Sequence, residues 1–137
     1  MNWFLKSLIG MLFTAGAIIA LKALTSRGVP TEFMTASYFI LMAAITAAFI
    51  FSRKINIPVA KKIAPLIIIL GILGAAANFI LFEAVRMAPN PGYAMAIFHT
   101  EIVLVAVASV FLFKSELNWK SLLGVLLVAA GVILLVI

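Results

Sequence analysis

Five apolar stretches, separated by short connections that hold most of the lysines and arginines, run through nearly all of the 137 residues. That layout fixes the solvent before anything else. A bilayer core about 30 Å thick takes roughly 20 helical residues to cross, and unpaired backbone groups inside it are costly, so each stretch is expected to be an α-helix. The composition agrees, with 66% apolar residues, 10% charged and a mean hydropathy of +1.32, against about half and a quarter in soluble domains. The sequence therefore predicts an all-α polytopic membrane protein, a single domain over 1–137 with helices at about 3–24, 31–51, 63–86, 92–113 and 121–137. Ser26, Arg27, Gly28 and Pro30 end the first span, and Pro89 and Pro91 oppose a helix between the third and fourth. The one clearly basic connection holds Arg53, Lys54, Lys61 and Lys62 around Pro58.

Several function classes drop out at once. A formal charge of +6 would suggest nucleic acid in a soluble chain, but these basic residues flank apolar runs, where they meet lipid headgroups and set orientation. No nucleic-acid partner is expected. The chain has no cysteine, no aspartate and one histidine, so neither a metal nor another cofactor is expected. HExxH, GxSxG and a phosphate-cradling glycine loop are all absent, and the expectation is not an enzyme. Lys6 and the apolar run Ser7 to Leu21 look superficially like a secretory signal. Lys22, Arg27 and a second long apolar segment follow instead of a cleavage site, so an uncleaved first helix is expected.

Loop charge gives the orientation. Lys6, Arg53, Lys54, Lys61, Lys62, Lys114 and Lys120 fall on one side of a five-span chain, and Lys22, Arg27 and Arg86 on the other. The positive-inside rule then predicts a multi-pass protein of the cell membrane with its N-terminus in the cytoplasm and its C-terminus outside. Trp3 and Trp119, each at the start of a span on that same side, fit an interfacial aromatic belt.

Small and polar residues mark where helices meet something other than lipid. Gly71, Gly74, Ala75 and Asn78 share one face of the third span, and Gly124 and Gly131 share one of the fifth. Internal packing is the expectation for Gly71 and Gly74, and either packing or a dimer seam for Gly124 and Gly131. Glu101 stands nine residues into the fourth span, roughly 14 Å deep at 1.5 Å per residue. A carboxyl group there costs about 2.5 to 3.5 kcal/mol and is normally turned to a partner, a cavity or a substrate path. Apolar neighbours would raise its affinity for a proton, and the structural alternative is a protonated acid bonded to another helix. His99 lies about 200° from Glu101 on a continuous helix, so the two are not expected to pair. His99, Asn78 and Lys22 are further candidates for a substrate or proton site, against packing roles for the first two and headgroup anchoring for Lys22. Thr100 is expected to bond back to its own helix. Glu83 and Arg86, three apart, are expected to form an ion pair, and Glu32 and Glu116 read as helix-start charges.

Certain runs are familiar. Leu81-Phe82-Glu83-Ala84-Val85-Arg86-Met87-Ala88-Pro89, then Lys114-Ser115-Glu116-Leu117-Asn118-Trp119, then Leu123 to Val132 with its two glycines seven apart, resemble the second half of an EamA-type domain of the drug/metabolite transporter superfamily. Phe13 to Lys22 resembles that family's first helix, so the likeness covers essentially the whole chain. The chain departs from the family pattern near Thr14, around Ser37 and Tyr38, and near Val103, where a central proline is usual. The resemblance implies a transporter of small metabolites or drug-like solutes, in which two five-helix repeats of opposite orientation enclose a cavity lined by helices one, three and four. The small multidrug resistance proteins are similar. One repeat is present in this sequence, so the expected partners are the lipid bilayer, a small-molecule substrate and a second five-helix subunit, in a homodimer or a heterodimer. A non-transporting accessory or assembly subunit of a membrane complex is the alternative expectation.

Overall fold

The computed structural model describes residues 2–55 and 63–136. Pro58, Lys61 and Lys62 of the basic connection lie outside the described residues. Helix α1, Trp3–Thr25, starts where the Asn2 side chain accepts the Leu5 N–H at 2.9 Å. It stops at Gly28, whose φ of +77° lets Val29 donate to the Leu24 carbonyl and Gly28 to that of Thr25, at 3.2 and 3.0 Å. This closure satisfies carbonyls that the helix end would leave bare. Pro30 then sets the start of α2, Thr31–Ser52. The same closure recurs at the far end of α2, where Ile55 donates to Ile50 at 3.1 Å. Here Lys54 takes the left-handed position, φ 49°, without the freedom of a glycine.

Helix α3 covers Ala64–Met87. Asn90 caps α4, Pro91–Phe98, by accepting the Gly92 N–H at 2.8 Å, with Pro91 in the first turn. Helix α5 is Glu101–Phe113, and α6 is Trp119–Val136, entered through Asn118, whose side chain accepts the Ser121 N–H at 2.9 Å. No strand occurs among the described residues. The stretches 3–25, 31–52, 64–87 and 91–113 are each long and apolar enough to cross a membrane, and α6 is a shorter apolar helix. The molecule is an all-α, polytopic membrane protein. The fourth stretch differs from the single helix expected over 92–113, because it is divided at His99 and Thr100.

Two units make up the chain, Met1–Met87 and Ala88–Ile137. In the first, α3 packs against both α1 and α2. Its buried residues are Ile18 and Leu21 of α1, Thr31, Met34 and Thr35 of α2, and Leu81, Phe82 and Val85 of α3. All belong to the end where α1 and α3 finish and α2 begins. In the second unit α6 packs on α4 and α5, and among the described residues only Ala94 is buried. Broad exposure of Leu, Ile and Phe follows from the solvent, since lipid tails are as apolar as these side chains.

Candidate functional site

Three helices of the first unit line a half-open cavity of about 420 Å³. Ile18 and Leu21 of α1, Tyr38 of α2, and Asn78 and Phe82 of α3 are among the residues that line it. Tyr38 holds its shape by edge contact with Phe82, ring centroids 5.5 Å apart. Asn78 is half-buried there, and its amide donates to the Gly74 carbonyl one turn back at 2.9 Å. That bond uses one amide hydrogen and leaves the side-chain carbonyl free to accept from a solute. Thr14, also in the wall, likewise turns its hydroxyl back on Gly10 at 3.0 Å. A wall built this way is apolar with a small polar inset, the usual composition of a small-molecule site.

Lys22 is placed otherwise. Its stem is half-buried, and Nζ donates to the Val85 and Arg86 carbonyls at 3.1 and 3.2 Å. The ammonium thus ties α1 to the C-terminal end of α3, where bare carbonyls and the helix dipole favour a cation. Next to it Glu83 Oε2 accepts from both Nε and Nη2 of Arg86, at 2.9 and 2.6 Å.

His99, Thr100 and Glu101 occupy the interruption between α4 and α5. Thr100 donates its N–H to Ile97 at 3.1 Å, Ile102 to His99 at 3.2 Å and Val103 to Thr100 at 3.0 Å, each three residues back instead of four. The Thr100 hydroxyl bonds the Ile97 carbonyl at 2.6 Å and reaches that of Ala96 at 3.3 Å, in place of continuing backbone bonds. Such threonine back-bonding bends helices. The break overturns the expectation that His99 and Glu101 point apart, since a 200° separation holds only on a continuous helix. Nδ1 of His99 stands 3.7 Å from Oε1 of Glu101, and the two side chains are 53% and 55% exposed.

Four glycines singled out by their spacing have open space beside them among the described residues. A Cβ added at Gly71, Gly74, Gly124 or Gly131 would meet no atom within 4 Å. Sequence reasoning also missed Tyr38, Phe82 and the buried Thr31, because aromatic and threonine residues in an apolar span carry no signal of which neighbour they face.

Comparison with known proteins follows this geometry. No curated protein and no solved structure matches the chain. The EamA-like transporter family matches residues 1–137, in a sequence whose described residues hold four apolar helical stretches of membrane-spanning length. The chain belongs to the EamA-like transporter family, whose members are transporters of the drug/metabolite superfamily.

Proposed function

We propose that the protein carries small metabolites or drug-like solutes across the cell membrane by alternating access, with a proton exchanged at Glu101. The observation that carries this reading is the His99–Glu101 pair, held 3.7 Å apart at a helix break within a membrane-length apolar stretch. An ionisable group at that depth is a functional residue by default, and interrupted helices are where transporters place coupling ions. His99 stabilises the ionised acid after the proton leaves. The cavity beside Asn78 supplies the wall against which the solute rests.

A second five-helix set of opposite orientation completes the enclosure, from another copy or from a related subunit. Gly124 and Gly131 form the seam. Their side of α6 leaves room for close approach by another helix, since among the described residues no atom of another element stands within 4 Å of either Cβ position. With more basic residues on its side, the N-terminus lies in the cytoplasm.

Flux in proteoliposomes under an imposed pH gradient tests the reading. Glu101→Gln should abolish pH-driven uptake of a proven substrate while leaving exchange at equal pH, and His99→Ala should shift the pH profile of uptake. Unchanged pH-driven flux in Glu101→Gln would overturn the proton role. A purified protein that moves no solute, yet holds a stable complex with a larger partner, would point to the accessory subunit instead.

A further inference from the structure

The cavity of the first unit changes character along its length. Two ties set the level of its walls. Lys22 Nζ on the Val85 carbonyl, at 3.1 Å, joins α1 to α3, and the Thr31 hydroxyl meets the Glu83 carboxylate between α2 and α3. Counted from these ties at 1.5 Å per residue, Thr14 lies roughly 12 Å along α1, Ser37 and Tyr38 roughly 9 to 11 Å along α2, and Asn78 roughly 8 to 11 Å along α3. These are the polar side chains of the wall, and all stand near one level. Between that level and the ties the lining is apolar, with Ile18, Leu21, Met34, Leu81 and Phe82.

The polar level has bonds to give. Asn78 spends one amide hydrogen on Gly74 and keeps the other, with its carbonyl. The Ser37 and Tyr38 hydroxyls hydrogen-bond nothing among the described residues. The Thr14 hydroxyl has used its hydrogen on Gly10 and can still accept. Charge is what the wall lacks. No Asp, Glu, Lys, Arg or His lines the cavity, and Lys22, next to the lining Leu21, keeps its ammonium on the α3 carbonyls.

This grading selects an occupant. An ion brought into the wall would lose hydration and meet no opposite charge. A hydrocarbon chain would suit the apolar end but cover the polar level with methylenes, leaving its donors and acceptors unpaired. Tyr38 and Phe82 meet edge to face at 5.5 Å, and Phe33, 66% exposed, stands in the same wall, so a further ring extends an existing aromatic cluster. Asn78 offers a donor beside an acceptor, the complement of another carboxamide. We propose that the cavity takes an uncharged aromatic solute bearing one carboxamide, with its ring in the apolar end and its amide at Asn78, and that Asn78 sets the preference for neutral over ionised solutes. This assignment rests on reading the cavity as the solute site and names the class of solute it takes.

Four probes of similar shape separate the possibilities: naphthylacetamide, naphthylacetate, naphthylethylamine and ethylnaphthalene. Binding to the purified protein at neutral pH is measured by equilibrium dialysis, with empty micelles of the same detergent subtracted. The amide should bind at least tenfold more tightly than the anion or the cation. It should bind about tenfold more tightly than the hydrocarbon, the scale of two neutral hydrogen bonds. Asn78→Leu should erase the advantage over the hydrocarbon, and Asn78→Asp should reverse the order, favouring the amine over the amide. If neither variant folds, the order of the four probes on the parent protein decides alone. An ion bound as tightly as the amide, or amide binding indifferent to Asn78→Leu, would overturn the proposal. Equal binding of ethylnaphthalene would overturn it too and make the occupant a lipid chain. Amide binding without flux in proteoliposomes would support the site and sink the transporter reading. Flux of a proven substrate that neither naphthylacetamide inhibits nor Asn78→Leu alters would sink the site and leave the transporter.

Discussion

Removing the Lys22 ammonium should loosen the first unit by about 2 kcal/mol. Nζ reaches two carbonyls at the end of α3, those of Val85 and Arg86, from a helix more than sixty residues away in sequence. Hydrogen bonds to a charged donor contribute about 1.5 to 3 kcal/mol each in soluble proteins, whereas interhelical bonds in membranes average about 0.6. Lys22 lies between these cases, half-buried at a helix end, so about 1 kcal/mol per bond is the reasonable scale, with the helix-dipole contribution included. Lys22→Met keeps the stem and removes only the donor. Loss of these two bonds by themselves lowers the folding constant by about thirtyfold. Unfolding by graded sodium dodecyl sulfate in mixed micelles reads this directly. Lys22→Arg, which restores cation and donors, should recover most of the loss. A change under about 0.5 kcal/mol in Lys22→Met would refute the clamp, and a raised KM without any stability change would return Lys22 to the solute path.

Two backbone positions give a paired prediction. Gly28→Ala should cost about 1 kcal/mol through its φ of +77° alone, since an added Cβ meets nothing within 4 Å. Lys54→Gly should gain about 0.5 kcal/mol, the relief of a left-handed lysine less the entropy glycine adds to the unfolded chain; the same detergent titration measures both, and a gain from Gly28→Ala would contradict the closure described for α1. Thr100→Val removes the hydroxyl bonds to Ile97 and Ala96 and should slow amide exchange across residues 99–103, as backbone bonds close the break. Exchange identical to that of the parent protein would mean the break stands without Thr100.

Much of the fold is written in local chemistry. Gly28 with Pro30 forecasts the end of α1 and the start of α2, and Asn90 with Pro91 the start of α4, because each acts on backbone within one turn. Asn118 carries the same kind of signal. It starts α6 at Trp119, two residues before the apolar pattern suggests. The α4–α5 break is not legible, since neither glycine nor proline stands at His99–Thr100 and back-bonding by threonine leaves a helix intact as often as it bends it. Its consequence, the approach of His99 to Glu101, was therefore out of reach. Nor does the sequence reveal the cavity. In lipid both faces of a helix are apolar, so Ile18 in the wall and Ile19 on the outside look alike, and only Asn78 stands out. Lys22 reads as an anchor because its true partners are backbone carbonyls, which no residue type announces.

The lopsided burial of the first unit has a mechanical meaning. Every buried side chain there lies where α1 and α3 end and α2 begins, bound by the Lys22 clamp and the fully enclosed Val85. Elsewhere along these helices no described residue is buried, so separating them at the opposite end exchanges helix contacts for lipid contacts of similar apolarity. The unit is built like a pair of tongs with a firm joint and compliant tips. Bending at the tips is cheap, bending at the joint is not, and the cavity starts at the joint, whose Ile18, Leu21, Met34, Leu81 and Phe82 form part of its wall.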